Sequence, residues 1–259
     1  MKIFIITQED SFVIPKNMQL LADANFIEVS GACVIKSKNS LSEKKSLFIR
    51  NFGIVQVAKM GFIVIKDKVL NFVDLLFQSK LLKHKRSIKA FCNKNHVPFL
   101  EEKNVNQRDF IAKLRELNLD LIVSFSAPSI FKSELLSLPK KGCINLHCSL
   151  LPKYSGILPS FWTLLNDEKE TGATVHYMDD EIDNGDILCQ ESIKILKTDS
   201  MLDIIIRTKK IGGAIMLDVI HDIMTDNIKL IKNKVNHEKY YSWPTNSDFK
   251  IFAKKRKLI

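Results

Sequence analysis

Apolar runs of strand length alternate along this chain with stretches of helical periodicity, and that alternation restricts it to an α/β fold. KIFIIT at the start and residues 27–35, 121–125, 142–146, 174–177 and 187–193 read as strands. Phe110, Ile111, Leu114 and Leu117 recur at helical spacing over 108–117 and lead straight into LIVSF, as a strand–helix–strand unit requires. The sheet is therefore expected to be parallel at its centre. Only nine glycines are present, and none forms GxGxxG or GxxxxGK, which excludes the usual dinucleotide and ATP phosphate cradles.

Residues 41–89 interrupt this pattern with a stretch too long for a loop. Its Phe48, Phe52, Val55, Phe62, Ile65, Val69, Phe72 and Leu76 fall at three- and four-residue intervals, which predicts an amphipathic helical pair. Inward packing is the first expectation for such a stripe. A basic apolar surface that meets a lipid membrane or a partner is the second. The segment holds eleven Lys and Arg against three acidic residues, a net eight of the formal +10 charge. A second cluster, Lys250, Lys254, Lys255, Arg256 and Lys257, lies in the tail. Further apolar residues over 200–224 predict a long helix, with Ser200 as N-cap and Asp203 three residues on.

No apolar run approaches the ~20 residues that span a bilayer. The chain opens on a strand rather than a secretory signal, so a cytoplasmic location is expected. The five cysteines form no CxxC pair, and His84, His96 and His237 have no clustered partners, so no metal is expected.

The chemistry is concentrated in residues 142–188. Asn145 and His147 lie two apart at a strand end, so their side chains share one face. Pro152, Gly156 and Pro159 then turn the chain into a loop that can wall a pocket. Asp183, in the turn DDEIDNG, can return a carboxylate to the imidazole. Acyl transfer to an amine needs an oxyanion donor, a proton carrier and a group that orients the carrier; Asn, His and Asp suit these roles. On spacing alone, a capped strand end with a satisfied histidine is the first expectation for them. Cys148 points to the opposite face from His147 and is not placed as a nucleophile. His176, Cys143 and Trp162 read as strand or core residues.

INLHCSLLPKYSG, the tryptophan-containing helix after it, ETGATVHYMDDEIDNGDIL and the preceding DLIVSFSAPSIF resemble the core of the 10-formyltetrahydrofolate-dependent formyltransferases. That family includes methionyl-tRNA, glycinamide ribonucleotide and amino-sugar formyltransferases. The resemblance is dense over 120–193, thinner near the start and absent from the insertion. It implies a Rossmann-like formyltransferase fold with a mainly parallel central sheet, a helical insertion over 41–89 and a short C-terminal extension. The division it suggests is a catalytic domain over 1–200, with a helix and tail over 201–259 packed on it. It implies 10-formyltetrahydrofolate as formyl donor and no metal. The family's Asn binds the formyl oxygen, its His is the acid/base group and its Asp tunes the His; Asn145, His147 and Asp183 match these positions. The pterin is held largely by backbone, which by position maps to Ser129, Ile130 and Phe131 and to Asp179, Asp180, Glu181 and Ile182. Ile157 departs from an arginine found in some sugar-modifying relatives.

Three amine acceptors compete. The tRNA enzymes resemble one another in a C-terminal barrel, for which the residues after Ser200 leave no room, so tRNA is disfavoured as a partner. The ribonucleotide enzymes carry a Gly/Ser-rich phosphate loop after the first strand, where this chain reads TQEDSFVIPK. The expected acceptor is a small, anionic amine, an amino sugar linked to a nucleotide or lipid. Hydrolysis of 10-formyltetrahydrofolate, or folate binding without transfer, is the competing class.

Overall fold

The computed structural model describes residues 1–36, 41–77, 81–82, 85–235 and 240–259, the side chains of 41–45, 47, 48 and 75 excepted. Phe48, His84 and His237, named above, and Lys44, Lys45, Lys80 and Lys83 of the basic insertion lie outside the described residues or side chains. In chain order the elements are β1 (Lys2–Thr7), α1 (Ile14–Asp23), β2 (Glu28–Ile35), α2 (Leu41–Leu76), α3 (Ile88–Asn95), β3 (Phe99–Glu102), α4 (Arg108–Glu116) and β4 (Leu121–Phe125). There follow α5 (Ser133–Leu136), β5 (Cys143–His147), α6 (Pro159–Leu165), β6 (Glu170–Tyr177), β7 (Ile187–Lys194), α7 (Met201–Met224) and α8 (Asn246–Lys255).

The strands form one sheet in the order β3-β2-β1-β4-β5-β6-β7. The first five run parallel, and β6 and β7 are antiparallel. The central parallel strands are apolar on both faces because helices cover both. On one face, Met18 of α1, Phe91 of α3 and Met216 and Ile220 of α7 pack on Ile3, Ile5, Val123 and Ile144. On the other, Phe110 and Leu114 of α4 and Leu135 of α5 pack on Phe4, Ile6 and Ile122. The chain builds β2 and β3 on one side of β1, then crosses to β4 and β5 on the other. Beyond the carboxyl ends of β1 and β4 this reversal opens the crevice where α/β sheets bind ligands.

Helix α7 starts as its sequence predicts: the Ser200 side chain accepts from Asp203 N–H, and the Asp203 carboxylate accepts from Ser200 N–H. At Gly212 a Cβ would collide with Leu146, so the missing side chain lets α7 lie directly on β5. A third cluster, Phe52, Phe161, Ile204, Phe249 and Phe252, joins α2, α6, α7 and α8.

Helix α2 is broken at Gly53 (φ 77°, ψ 157°), consistent with the predicted pair. The inward packing expected of its apolar stripe is not found beyond Phe52: Val55, Phe62, Ile65, Val69, Phe72 and Leu76 are exposed. The reason is that Asp67 and Asp74 occupy the inward face, paired with Arg86 and Lys85. Among the described residues no helix is long and apolar enough to cross a membrane.

Candidate active site

Asn145 and His147 close β5, and the antiparallel register of β6 sets His176 opposite Asn145 and Thr174 opposite His147. All four side chains therefore stand on one face. Asp183 arrives from the β6–β7 turn in a left-handed conformation (φ 51°), which Asp tolerates better than most residues. Its Oδ2 accepts the Gly156 N–H at 2.7 Å and lies 3.4 Å from His147 Nδ1. Its Oδ1 lies 3.7 Å from His176 Nε2. Asn233 fixes the turn by donating to the carbonyls of Asp183 (2.7 Å) and Gly185 (3.1 Å).

Hydrogen-bond geometry assigns both imidazoles. His176 Nδ1 is 2.7 Å from the Tyr177 carbonyl and must donate there, leaving Nε2 to accept from Asn145 Nδ2 at 3.2 Å. One half of the Asn145 amide is thus committed and the other N–H is directed by it. His147 Nε2 is 2.9 Å from the Tyr154 carbonyl and likewise donates, so its other nitrogen, facing a carboxylate, carries a proton as well. This arrangement favours the imidazolium form of His147.

The charges agree with that assignment. Burial alone would push the His147 pKa down, but the charge and hydrogen bond of Asp183, with the Tyr154 carbonyl, carry it above its ordinary value. Burial would raise Asp183; His147, His176 and the Gly156 N–H instead draw it down to about 2. His176 is kept neutral, by burial first and by the neighbouring His147 charge against the pull of Asp183. Cys148 sits on the opposite face beside Thr208 and Ser126, where burial pushes its thiol up.

The loop that walls the site is pinned at both ends. Thr174 Oγ1 donates to the Ser149 carbonyl (2.6 Å), and the Ile157 N–H donates to the Tyr241 carbonyl (2.7 Å). Gly156 between them has φ 116°, and a Cβ there would strike the Tyr241 carbonyl.

A sequence model of the formyl transferase family matches residues 3–220. The chain belongs to the formyl transferase family. Among its formyl transferase relatives, it is 37% identical over 185 residues to the bifunctional polymyxin resistance protein ArnA of Wigglesworthia glossinidia brevipalpis, covering 71% of this chain and 26% of that one. It is 34% identical over 159 residues to the methionyl-tRNA formyltransferase of Clostridioides difficile (strain 630), covering 59% and 49%. The chain thus spans about half or less of the length of these relatives. Its fold is like that of an N-formyltransferase from Helicobacter canadensis, solved with folinic acid and dTDP-3-aminofucose (TM-score 0.64, 20% identity, 100% of this chain and 81% of that one).

In this member of the family the two segments expected to hold a pterin lean on one core cluster, through Ala127 and Phe131 on one side and Met178 on the other. Phe131 is buried, so only its backbone is available to a ligand. Ser129 is half-buried and Ile130 exposed, with the Ile130 carbonyl held by Asn106 Nδ2 at 2.9 Å. Asp179 is committed within its own turn, accepting from Glu181 N–H (3.1 Å) and Asn184 Nδ2 (2.7 Å). Asp180, Glu181 and Ile182 are exposed. Each segment thus offers backbone and one exposed aliphatic side chain, Ile130 or Ile182, which suits a flat heterocycle.

Sequence reasoning missed His176 and Asn233 as parts of the site, and placed Gly156 in the loop that walls it without foreseeing its N–H bond to Asp183. It also missed the pair closing the far side of the β1 end. There Asp10 Oδ1 accepts from the N–H groups of Phe12, Val13 and Ile14 (2.9, 2.8 and 3.2 Å), and its Oδ2 binds Lys209 at 2.6 Å. An Asp two to four residues before a helix is the one signal that pointed to this cap.

Proposed function

We propose that this chain transfers a formyl group from 10-formyltetrahydrofolate to a primary amine, and that the amine is borne by an amino sugar. The observation that carries the reading is the buried His147–Asp183 ion pair beside an amide whose orientation is fixed. The folate would supply the activated formyl carbon. The free N–H of Asn145 donates to the formyl oxygen as the amine nitrogen attacks and negative charge develops there. His147 provides the proton that the departing folate nitrogen needs, from Nε2 once Tyr154 gives up that bond; Asp183 keeps the imidazole charged and in place. The attacking amine loses its proton to solvent as the new C–N bond settles into the formamide.

Support for the acceptor comes from Asp10. Helix N-termini are natural phosphate sites. At α1 a carboxylate of the chain itself fills that place and is neutralised by Lys209. This disfavours a ribonucleotide phosphate after the first strand and favours an acceptor held elsewhere in the crevice. The amino sugar with which the Helicobacter canadensis enzyme was solved, dTDP-3-aminofucose, is of the favoured class. The methionyl-tRNA relatives favour a second reading, an aminoacyl-tRNA acceptor. Tetrahydrofolate release, followed with nucleotide-linked amino sugars, with methionyl-tRNA and with no amine, separates these. Release with the amino sugars alone supports the proposal, and equal release without amine contradicts it.

A further inference from the structure

We infer that α2 seats the protein on an anionic lipid bilayer, with the stripe Ile54, Phe62, Ile65, Val69, Phe72 and Leu76 at the boundary between headgroups and acyl chains. The helix is inside out for a soluble protein. Its inward face carries Asp67 and Asp74, 3% and 2% exposed, paired with Arg86 and Lys85, while Asn71 accepts from the Arg86 N–H at 3.1 Å. Its outward face leaves Phe62 69%, Ile65 62% and Phe72 62% exposed. Ion pairs inside and phenylalanines outside make sense when the outer medium is apolar.

The stripe follows helical spacing from Ile54 to Leu76, about 34 Å at 1.5 Å per residue, and so lies along one line. Val55, Ala58 and Phe62 share an apolar depression with Ile259, which brings the basic tail alongside: Leu258 N–H donates to Gln56 Oε1 at 2.6 Å. Lys59, Lys66 and Lys68 are exposed beside the stripe, as are Lys250, Lys254 and Lys257 in the tail segment. Lys85 is buried and adds nothing to this surface.

Charge selects the occupant. Residues 41–89 hold eleven Lys and Arg against three acidic residues, so a second copy would bring like charge against like. An anionic lipid surface satisfies both the apolar stripe and the flanking lysines. No helix among the described residues can cross the membrane, so the contact is peripheral.

The test is flotation of the full chain with vesicles of phosphatidylcholine alone and of phosphatidylcholine mixed with phosphatidylglycerol. Binding is expected to the mixed vesicles and to be much weaker to the neutral ones. Replacing Lys59, Lys66 and Lys68 by Gln should weaken it on the order of 100-fold, each lysine near an anionic surface contributing about fivefold. Phe62→Ser with Phe72→Ser should weaken it at least about tenfold, with circular dichroism unchanged because both side chains are exposed. Three results would overturn the inference. These are no binding of the wild type to the mixed vesicles, equal binding of both variants and the wild type, or a wild-type dimer that the Phe62→Ser, Phe72→Ser variant cannot form.

Discussion

Asn145 Nδ2 stands 3.2 Å from His176 Nε2 across the β5–β6 pair, so one half of the amide is anchored and the other half is aimed. The proposed oxyanion donor is thereby a two-residue device. It depends on a histidine that touches no reacting atom.

His176 is accordingly a positioning residue. His176→Phe removes the acceptor for Asn145 and should lower kcat by ~10- to 100-fold, the usual cost of a misplaced catalytic group. KM for the folate should change little. A core histidine with no link to Asn145 would lower Tm in this variant and leave kcat per folded molecule unchanged; steady-state kinetics with a thermal melt distinguishes the two.

The His147–Asp183 pair predicts a signed pH response. The raised His147 pKa means its stabilisation is complete below the unfolded value of ~6.5 and fades as pH rises through the higher folded value. The depressed Asp183 pKa gives stabilisation that is complete above ~3.9 and fades as pH falls through about 2. The Tm difference between wild type and Asp183→Asn should therefore be largest between about pH 4 and 6.5. With His147 acting as the acid, kcat/KM should fall on the alkaline side, and Asp183→Asn should move that limb to lower pH. An unmoved limb would separate Asp183 from the proton transfer.

Gly156 serves the site through its backbone alone. Gly156→Ala forces a side chain against the Tyr241 carbonyl at φ 116° and displaces the N–H that binds Asp183. The strain should cost about 1–3 kcal/mol, read by denaturant unfolding, with a disproportionate loss of turnover.

The Asp10–Lys209 pair is a structural anion site filled from within. Lys209→Met leaves Asp10 buried without its counter-charge and should destabilise by about 3–5 kcal/mol. Asp10→Asn in the same chain should recover part of it, because the amide still accepts at the α1 N-terminus. Equal stability of Lys209→Met and wild type in urea would contradict the pairing.

Much of the fold is legible where local signals agree. Ser200 and Asp203 predict the start of α7, and the apolar run 121–125 predicts β4 to the residue. Strand β3 escaped notice because FLEE is four residues with two glutamates at a sheet edge. Helix α8 escaped notice because its basic run hides Phe249 and Phe252, which are buried. The periodicity of α2 shows that it has a face but not which way the face turns; that depends on Asp74 finding Lys85 and Asp67 finding Arg86. In the site, the spacing of Asn145 and His147 places them together. His176 becomes visible only when the β5–β6 register is known, since residues 31 apart meet only by pairing.

The central claim is tested most directly by single-turnover formyl transfer from 10-formyltetrahydrofolate to a nucleotide-linked amino sugar, comparing wild type with Asn145→Ala and His147→Ala. The account predicts formamide formed only when the amine is present, and a rate at least ~10²-fold lower in each variant with the fold intact. Wild-type rates in either variant, or tetrahydrofolate released equally without the amine, would contradict it.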